Sequence, residues 1–344
     1  KRRDEKANSE TTERTKIVKQ KILKFAVSAG AFAPFRYLNG GKVLILMYHR
    51  FSEKNGKFSI SQEAFSAHLK YLSKHYKVIT LTEYIEFRKA KTELPKKLAI
   101  ITIDDGYRDV FEIAEPVLRK NNLPATLFAV TDFLEGKLWI WTDKMRFLTA
   151  QTKLTEIVFS LNQQEIKGKL TDADSRFLLA QRINSQLKKL PEAEKESEIF
   201  RLANEFEVEI PQLPTKEFAP MTWNEARELD KGLVKIESHT VTHPILPNVG
   251  ENQLKFELTE SKIKLEKEIG REMKIFCYPD GGWNEKVRNA VESANYQCAV
   301  TTELGFNDDG DDLFLLKRIS AEPSLPHFIQ DTSGFENFKK IFRR

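Results

Sequence analysis

Leu98-Ala99-Ile100-Ile101-Thr102-Ile103 limits what this chain can become more than any other segment. It carries no charge and one hydroxyl, so it reads as a strand buried on both faces, as in a parallel sheet covered by helices. Similar runs recur at 43–48, 125–130, 233–237, 274–278, 297–302 and 313–316. Helical periods fall between most of them, at about 61–75, 107–120, 222–231, 252–269 and 284–294. Alternation of this kind predicts an α/β fold, a distorted (β/α) barrel of about seven strands with a helical insertion. The chain has 344 residues, and a barrel with an insertion absorbs that length. An apolar content of 40% is enough for a sizeable core. The sequence shows no internal repeat.

The pattern also sets boundaries. Residues 1–41 form a basic tail and an amphipathic helix, 42–135 the first part of the barrel, and 136–217 the insertion. Residues 218–320 complete the barrel, and 321–344 are a C-terminal tail. The insertion is polar, mostly helical in period and without a convincing long strand. A segment inserted after a barrel strand emerges where the strands end, so a lid or side wall is expected. Residues 1–24 hold nine Lys or Arg and four Asp or Glu, an excess equal to the whole net charge of +5. Basic charge is thus a property of the tail and no argument for nucleic-acid binding.

The apolar stretch Phe25 to Phe35 is too short to span a bilayer. Val18, Ile22, Phe25 and Ala29 share a helical face. That helix is expected to cover the barrel bottom, with peripheral membrane contact as the alternative. Cys277 and Cys298 lie in strand-like runs and read as buried thiols without a disulfide framework. This fits a cytoplasmic protein, or one held at a membrane face, and is compatible with export. Asn307-Asp308-Asp309-Gly310-Asp311-Asp312 lacks the later bidentate Glu of a calcium loop and reads as a solvated turn.

The chemistry gathers at two strand ends. The 98–103 run stops at Asp104-Asp105-Gly106, where Gly106 permits a tight exit. Val234-Lys235-Ile236-Glu237 leads into Ser238-His239-Thr240-Val241-Thr242-His243-Pro244, where Pro244 disfavours helix at His243. Asp-Asp-Gly alone is an ordinary turn, and two spaced histidines alone mark nothing. Together, at the C-terminal ends of parallel strands, they offer about three ligands for a divalent metal. One carboxylate is left over, and metal-assisted hydrolysis needs such a base.

Thr102-Ile103-Asp104-Asp105-Gly106 resembles the Thr-Phe-Asp-Asp-Gly motif of the polysaccharide deacetylase family (NodB-homology, carbohydrate esterase family four). Ser238 to Pro244 is similar to its His-x-x-x-His-Pro motif, and Phe276-Cys277-Tyr278-Pro279-Asp280-Gly281 to its third. The likeness covers roughly 42–135 and 218–320. It implies that Asp105, His239 and His243 hold a divalent metal, most often zinc, with cobalt, nickel, manganese or iron as alternatives. It makes Asp104 the general base on a metal-held water, and the Tyr278 backbone N–H a second oxyanion donor.

Three features depart from the family pattern. The family's Arg after the first aromatic is here Cys277, and Arg318, at the end of the strand-like Leu313 to Ile319, is the candidate to orient the base in its place. Arg318 in a structural ion pair is the plainer reading. Glu237 stands where the family has Gly, and either narrows the site or adds a hydrogen bond. The family's acid, a His on a late strand, has no copy near the C-terminus, where His327 reads as a loop residue. Lys42 to His49 resembles that strand moved to the front by circular permutation, which makes His49 the general acid.

The implied substrate is an N-acetylated, amino-sugar-containing glycan: a polysaccharide, peptidoglycan or a lipid-linked sugar. One alternative is a deformylase or other non-peptide amide hydrolase on a lipid-linked sugar or small molecule. Another is a catalytically silent glycan-binding protein. Trp139 and Trp141 either pack the insertion onto the barrel or stack on sugar rings.

Overall fold

The computed structural model describes residues 18–54, 56 and 58–336, so the most basic part of the N-terminal segment lies outside the described residues. Seven strands form a parallel ring in chain order: β1 Val43–Tyr48, β2 Leu98–Ile103, β3 Ala125–Ala129, β4 Val234–Ser238, β5 Ile275–Cys277, β6 Cys298–Leu304 and β7 Leu316–Ser320. β1 pairs with both β2 and β7, which closes the ring as the expected (β/α) barrel. Pairing is uneven. β1 and β2 match over six residues and β3 and β4 over five, whereas β4 and β5 share only Phe276↔Ser238. The two-residue strand Lys77–Val78 pairs with the start of β2, below the point where β3 takes over that edge. These thin ladders are the distortion.

Alternation along the strands sorts the core into two layers. Val43 and Ile45 of β1, Leu98 and Ile100 of β2, Phe128, Ile275, Cys277, Cys298, Val300 and Leu316 cluster together, joined by Leu81, Tyr84 and Ile85 of α2 (Leu81–Ala90). The other parity, Leu44, Leu46, Ala99, Ile101, Ile103, Leu127 and Ile236, packs outward under α1 (Gln62–His75), α3 (Glu115–Asn121) and the helices that follow. The first parity continues up β2 to Thr102 and then to Asp104. The same alternation that buries Leu98 and Ile100 therefore delivers a carboxylate to the mouth.

Between β3 and β4 the insertion forms a body with its own core. α4 (Trp141–Gln151), α5 (Ala173–Leu187) and α6 (Glu192–Glu205) enclose Met145, Leu148, Ile183, Ile199 and Phe206. It is not only helical. Glu156–Leu161 and Gln164–Lys169 pair as an antiparallel hairpin across Asn162-Gln163, both in the left-handed region. Strict buried–exposed alternation in Glu156–Leu161 is the period-two signal that the helical reading overlooked. Trp139 packs on Phe147 and Phe218, and Trp141 lies under Lys195, so both tryptophans serve packing.

α7 (Trp223–Lys231), α8 (Glu251–Ile269) and α9 (Glu285–Ser293) complete the outer layer with α10 (Leu325–Thr332). α10 corrects the expected C-terminal tail: it is a helix with His327 in its first turn, and Phe328 stacks on buried His68 at 3.8 Å. The N-terminal helix, residues 18–28, does not cover the barrel bottom, where α2 packs. It leans on α10 through Leu23, while Val18, Ile22 and Phe25 stay exposed, Phe25 by 74%. Among the described residues no helix is long and apolar enough to cross a membrane.

Candidate active site

Asp104, Asp105 and Gly106 follow β2, and their backbone is fixed before their side chains act. Asp104 N–H donates to the Tyr48 carbonyl, Val130 N–H to Asp105 and Met221 N–H to Gly106. Asp105 and Gly106 both have positive φ, 78° and 98°. At Gly106 a Cβ would meet Leu134 at 2.6 Å, so glycine serves both conformation and close packing. The two carboxylates consequently leave the chain in different directions.

Asp104 meets Arg318, a residue of β7. The guanidinium donates to both carboxylate oxygens, at 2.7 and 2.8 Å, in a bidentate fork. Arg318 is only 1% exposed and is held by the Thr301 carbonyl, Thr102 Oγ1 and Cys277 Sγ, the last at 3.3 Å. The small thiol at 277 leaves the space that this Arg fills. Burial pushes the Asp104 carboxyl up, but Arg318 and His49 outweigh it and hold it below the usual carboxylate range. His49, immediately after β1, places Nε2 3.6 Å from Asp104 Oδ2 with its side chain 43% exposed.

Asp105 meets the two histidines. Its Oδ1 lies 3.6 Å from His239 Nε2 and 3.4 Å from His243 Nε2. His239 Nδ1 bonds to the Cys277 carbonyl at 2.8 Å. A carbonyl only accepts, so Nδ1 carries a proton, which leaves Nε2 as the ring atom that would bind a metal. Ligands about 2.1 Å from a tetrahedral ion stand about 3.4 Å apart, so these separations fit zinc or a similar cation. Asp104, His239 and Cys277 also lie within 4.8 Å of one another. Both Asp104 oxygens are taken by Arg318, however, and a guanidinium beside the thiol repels a cation.

The histidine loop is strained. Thr240 and His243 have φ of 71° and 59°, unfavourable for side chains with a Cβ and most of all for β-branched Thr240. Buried Glu257 of α8 holds it. One carboxylate oxygen accepts the N–H groups of Val241 and Thr242, at 2.7 and 2.9 Å, and the other accepts Thr242 Oγ1 and Gln253 Nε2. Sequence reasoning missed Glu257. The available signal was an acid set in the apolar stripe Leu254, Leu258 and Leu265.

One expectation changes. Tyr278 N–H donates to the Val300 carbonyl at 3.2 Å, as a backbone group beside β6 must, so in this structure it is not free for an oxyanion. Of the two alternatives for Glu237, the structure shows the added hydrogen bond and not a narrowing of the site. The Glu237 carboxylate accepts the N–H groups of Lys274 and Ile275 and pairs with Arg271, filling in where β4 and β5 lack a ladder.

His49, Asp104, Asp105, His239 and His243 floor a cavity of about 580 Å³, with Arg50, Phe58, Thr302 and Ser320 to Ala321 around the rim. The insertion supplies the wall above, through Phe177, Gln181, Ser185 and Lys188. Lys188 pairs with Asp280, and Ile245 N–H donates to Glu192, so the insertion is tied to the barrel loops. The site can therefore hold a cation, an ionised base and an imidazole around one cavity.

The family model described as polysaccharide deacetylase matches residues 91–158 and 177–299. A Bacillus subtilis protein named YxkH is 22% identical over 285 residues, covering 83% of this chain and 73% of that one. The poly-beta-1,6-N-acetyl-D-glucosamine N-deacetylase of Staphylococcus aureus is 36% identical over 81 residues, 23% of this chain and 28% of that protein. Among solved structures, the Streptococcus pyogenes deacetylase PplD in complex with acetate superposes with a TM-score of 0.58 at 19% identity, covering 86% of this chain and 99% of that one. That likeness concerns the fold.

Proposed function

Because this chain belongs to the polysaccharide deacetylase family, hydrolases of carbon–nitrogen bonds other than peptide bonds, we propose that it removes N-acetyl groups from an amino-sugar-containing glycan with the help of a divalent metal. The observation that carries the reading is the pairing at one mouth of two clusters: Asp105 with His239 and His243, and Asp104 with Arg318 and His49. The first cluster would hold the ion, with zinc the first candidate for one carboxylate and two imidazoles. Bound there, such an ion would supply Lewis-acid chemistry for the water and the amide carbonyl.

The chain's own groups divide the proton work. Asp104 takes the proton of the attacking water. The Arg318 fork keeps it ionised and fixes its orientation, so the charge is ready without reorganisation. His49 stands on the other side of Asp104 with part of its ring open to the cavity, and donates a proton to the departing sugar nitrogen. The products are acetate and a free amine on the sugar.

The test is acetate release from N-acetylglucosamine oligomers, peptidoglycan fragments and lipid-linked N-acetyl sugars, with zinc, cobalt or chelator present. The similarity to the Staphylococcus aureus enzyme places β-1,6-linked oligomers first in the panel. Metal-dependent release that is lost in Asp104→Asn, with metal content retained, supports the proposal. No release from metal-loaded protein on any member would overturn it in favour of another amide.

A further inference from the structure

α5 has two faces. Leu179, Ile183 and Leu187 enter the core of the insertion, while Phe177, Gln181, Ser185 and Lys188 follow at helical spacing along the cavity. At one end of that stripe Phe177 meets Phe58, which comes from the segment after β1 on the barrel side. The ring centroids lie 4.6 Å apart at 48°. The Arg146 guanidinium stacks 4.3 Å from the Phe58 ring and is itself anchored by Asp143, which fixes that ring in place. Both phenylalanines are only half-buried, and both line the cavity that holds His49, Asp104 and His243. A cavity of about 580 Å³ has room beyond the sugar that carries the reacting amide. Ligand sites of this size combine an apolar surface with a few polar groups that fix orientation.

Resting on the glycan reading above, we infer that Phe58 and Phe177 form a stacking subsite for a second sugar unit next to the one being deacetylated. The apolar C–H face of a pyranose matches an aromatic face. Gln181 and Ser185, one and two turns further along α5, offer groups for its hydroxyls. The subsite is assembled from two segments far apart in sequence, and the insertion supplies half of it. Trp139 and Trp141, the aromatics more conspicuous in the sequence, are buried in packing and unavailable for this role.

The consequence is a dependence on chain length. On β-linked N-acetylglucosamine oligomers of one to four units, KM for the zinc-loaded protein should fall about tenfold or more from monomer to tetramer. Phe177→Leu keeps apolar volume but removes the ring face. It should shrink that KM ratio about fivefold, the scale of one lost stacking contact, with a smaller change in kcat. Phe58→Leu should act in the same direction, and zinc affinity serves as the folding control for both. A wild-type protein without length dependence, or an undiminished ratio in both variants, would overturn the subsite. If no acetate is released at all, the reaction proposed above is what fails. Calorimetric binding of the tetramer then decides the subsite: weaker binding by Phe177→Leu supports it, and equal binding by wild type and variant overturns it.

Discussion

At the scale of single residues, the Asp104–Arg318 pair decides the most. Two charges that are both about fully buried tolerate each other only as a fork, and removing one leaves the other uncompensated at a cost of about 3–5 kcal/mol. Arg318→Met is therefore expected to lower the denaturation midpoint sharply and reduce kcat, whereas Arg318→Lys keeps the charge, loses the fork and loses less stability. Equal stability of wild type and Arg318→Met would show that the pair is not coupled to folding. His49 stands apart from the three grouped donors Asp105, His239 and His243. His49→Ala is expected to cut kcat by about 10²–10⁴ while bound zinc, measured by atomic emission, stays at the wild-type level. An undiminished rate would remove the acid role. Asp104, Asp105, His239 and His243 were legible as motifs because each pair is local in sequence. Arg318 was a candidate partner only by its place on a strand-like run, and no local motif ties it to Asp104, since 214 positions separate them and only the closed ring brings β7 beside the end of β2.

At the scale of elements, α8 and α10 act on parts of the chain they do not adjoin. α8 clamps the strained 240–243 loop through Glu257, so Glu257→Ala should weaken zinc affinity about 10–100-fold, with Glu257→Gln recovering part of it. Competition with a chelating dye measures this, and an unchanged affinity would reduce Glu257 to a packing residue. α10 presses Phe328 onto His68 of α1, where burial lowers the imidazole to about 3 from its ordinary 6.5. The folded state thus favours neutral His68. Its contribution to stability is fully present above about 6.5 and is lost progressively as pH falls toward 3. His68→Leu should flatten the loss of thermal stability between pH 6.5 and pH 4, and a profile parallel to wild type would contradict this. The sequence announced α1, α7, α8 and α9 within about two residues because their caps and apolar periods agree. It left α10 unseen because eight residues hold little more than two turns of period.

At the scale of the whole molecule, the barrel and the insertion are two cores joined over the mouth. The barrel's β1 and β2 are buried along nearly their whole length, while the insertion's hairpin alternates buried and exposed residues and leaves Val158 in solvent. Amide exchange should therefore be faster across Glu156–Lys169 than in β1 or β2. Equal protection would mean that the two bodies open as one unit. The position of β1 between β2 and β7 sets His49 at the mouth. A circular permutation relative to the family's usual strand order remains our proposal for how it came to be first.

The sequence by itself determined the architecture and the metal-ligand candidates. Strand parity, helix period and short motifs are local properties, readable wherever neighbours along the chain are neighbours in space. It also marked the insertion, as an interruption of that rhythm. Only the tertiary structure decided which Arg serves Asp104, that Tyr278 N–H is already used, that Glu237 bonds to the backbone at Lys274 and Ile275, and that Phe58 and Phe177 share a wall. Each of these depends on strands set side by side, on ring closure or on the insertion folding back over the mouth. Such contacts join residues tens to hundreds of positions apart, which no local pattern records.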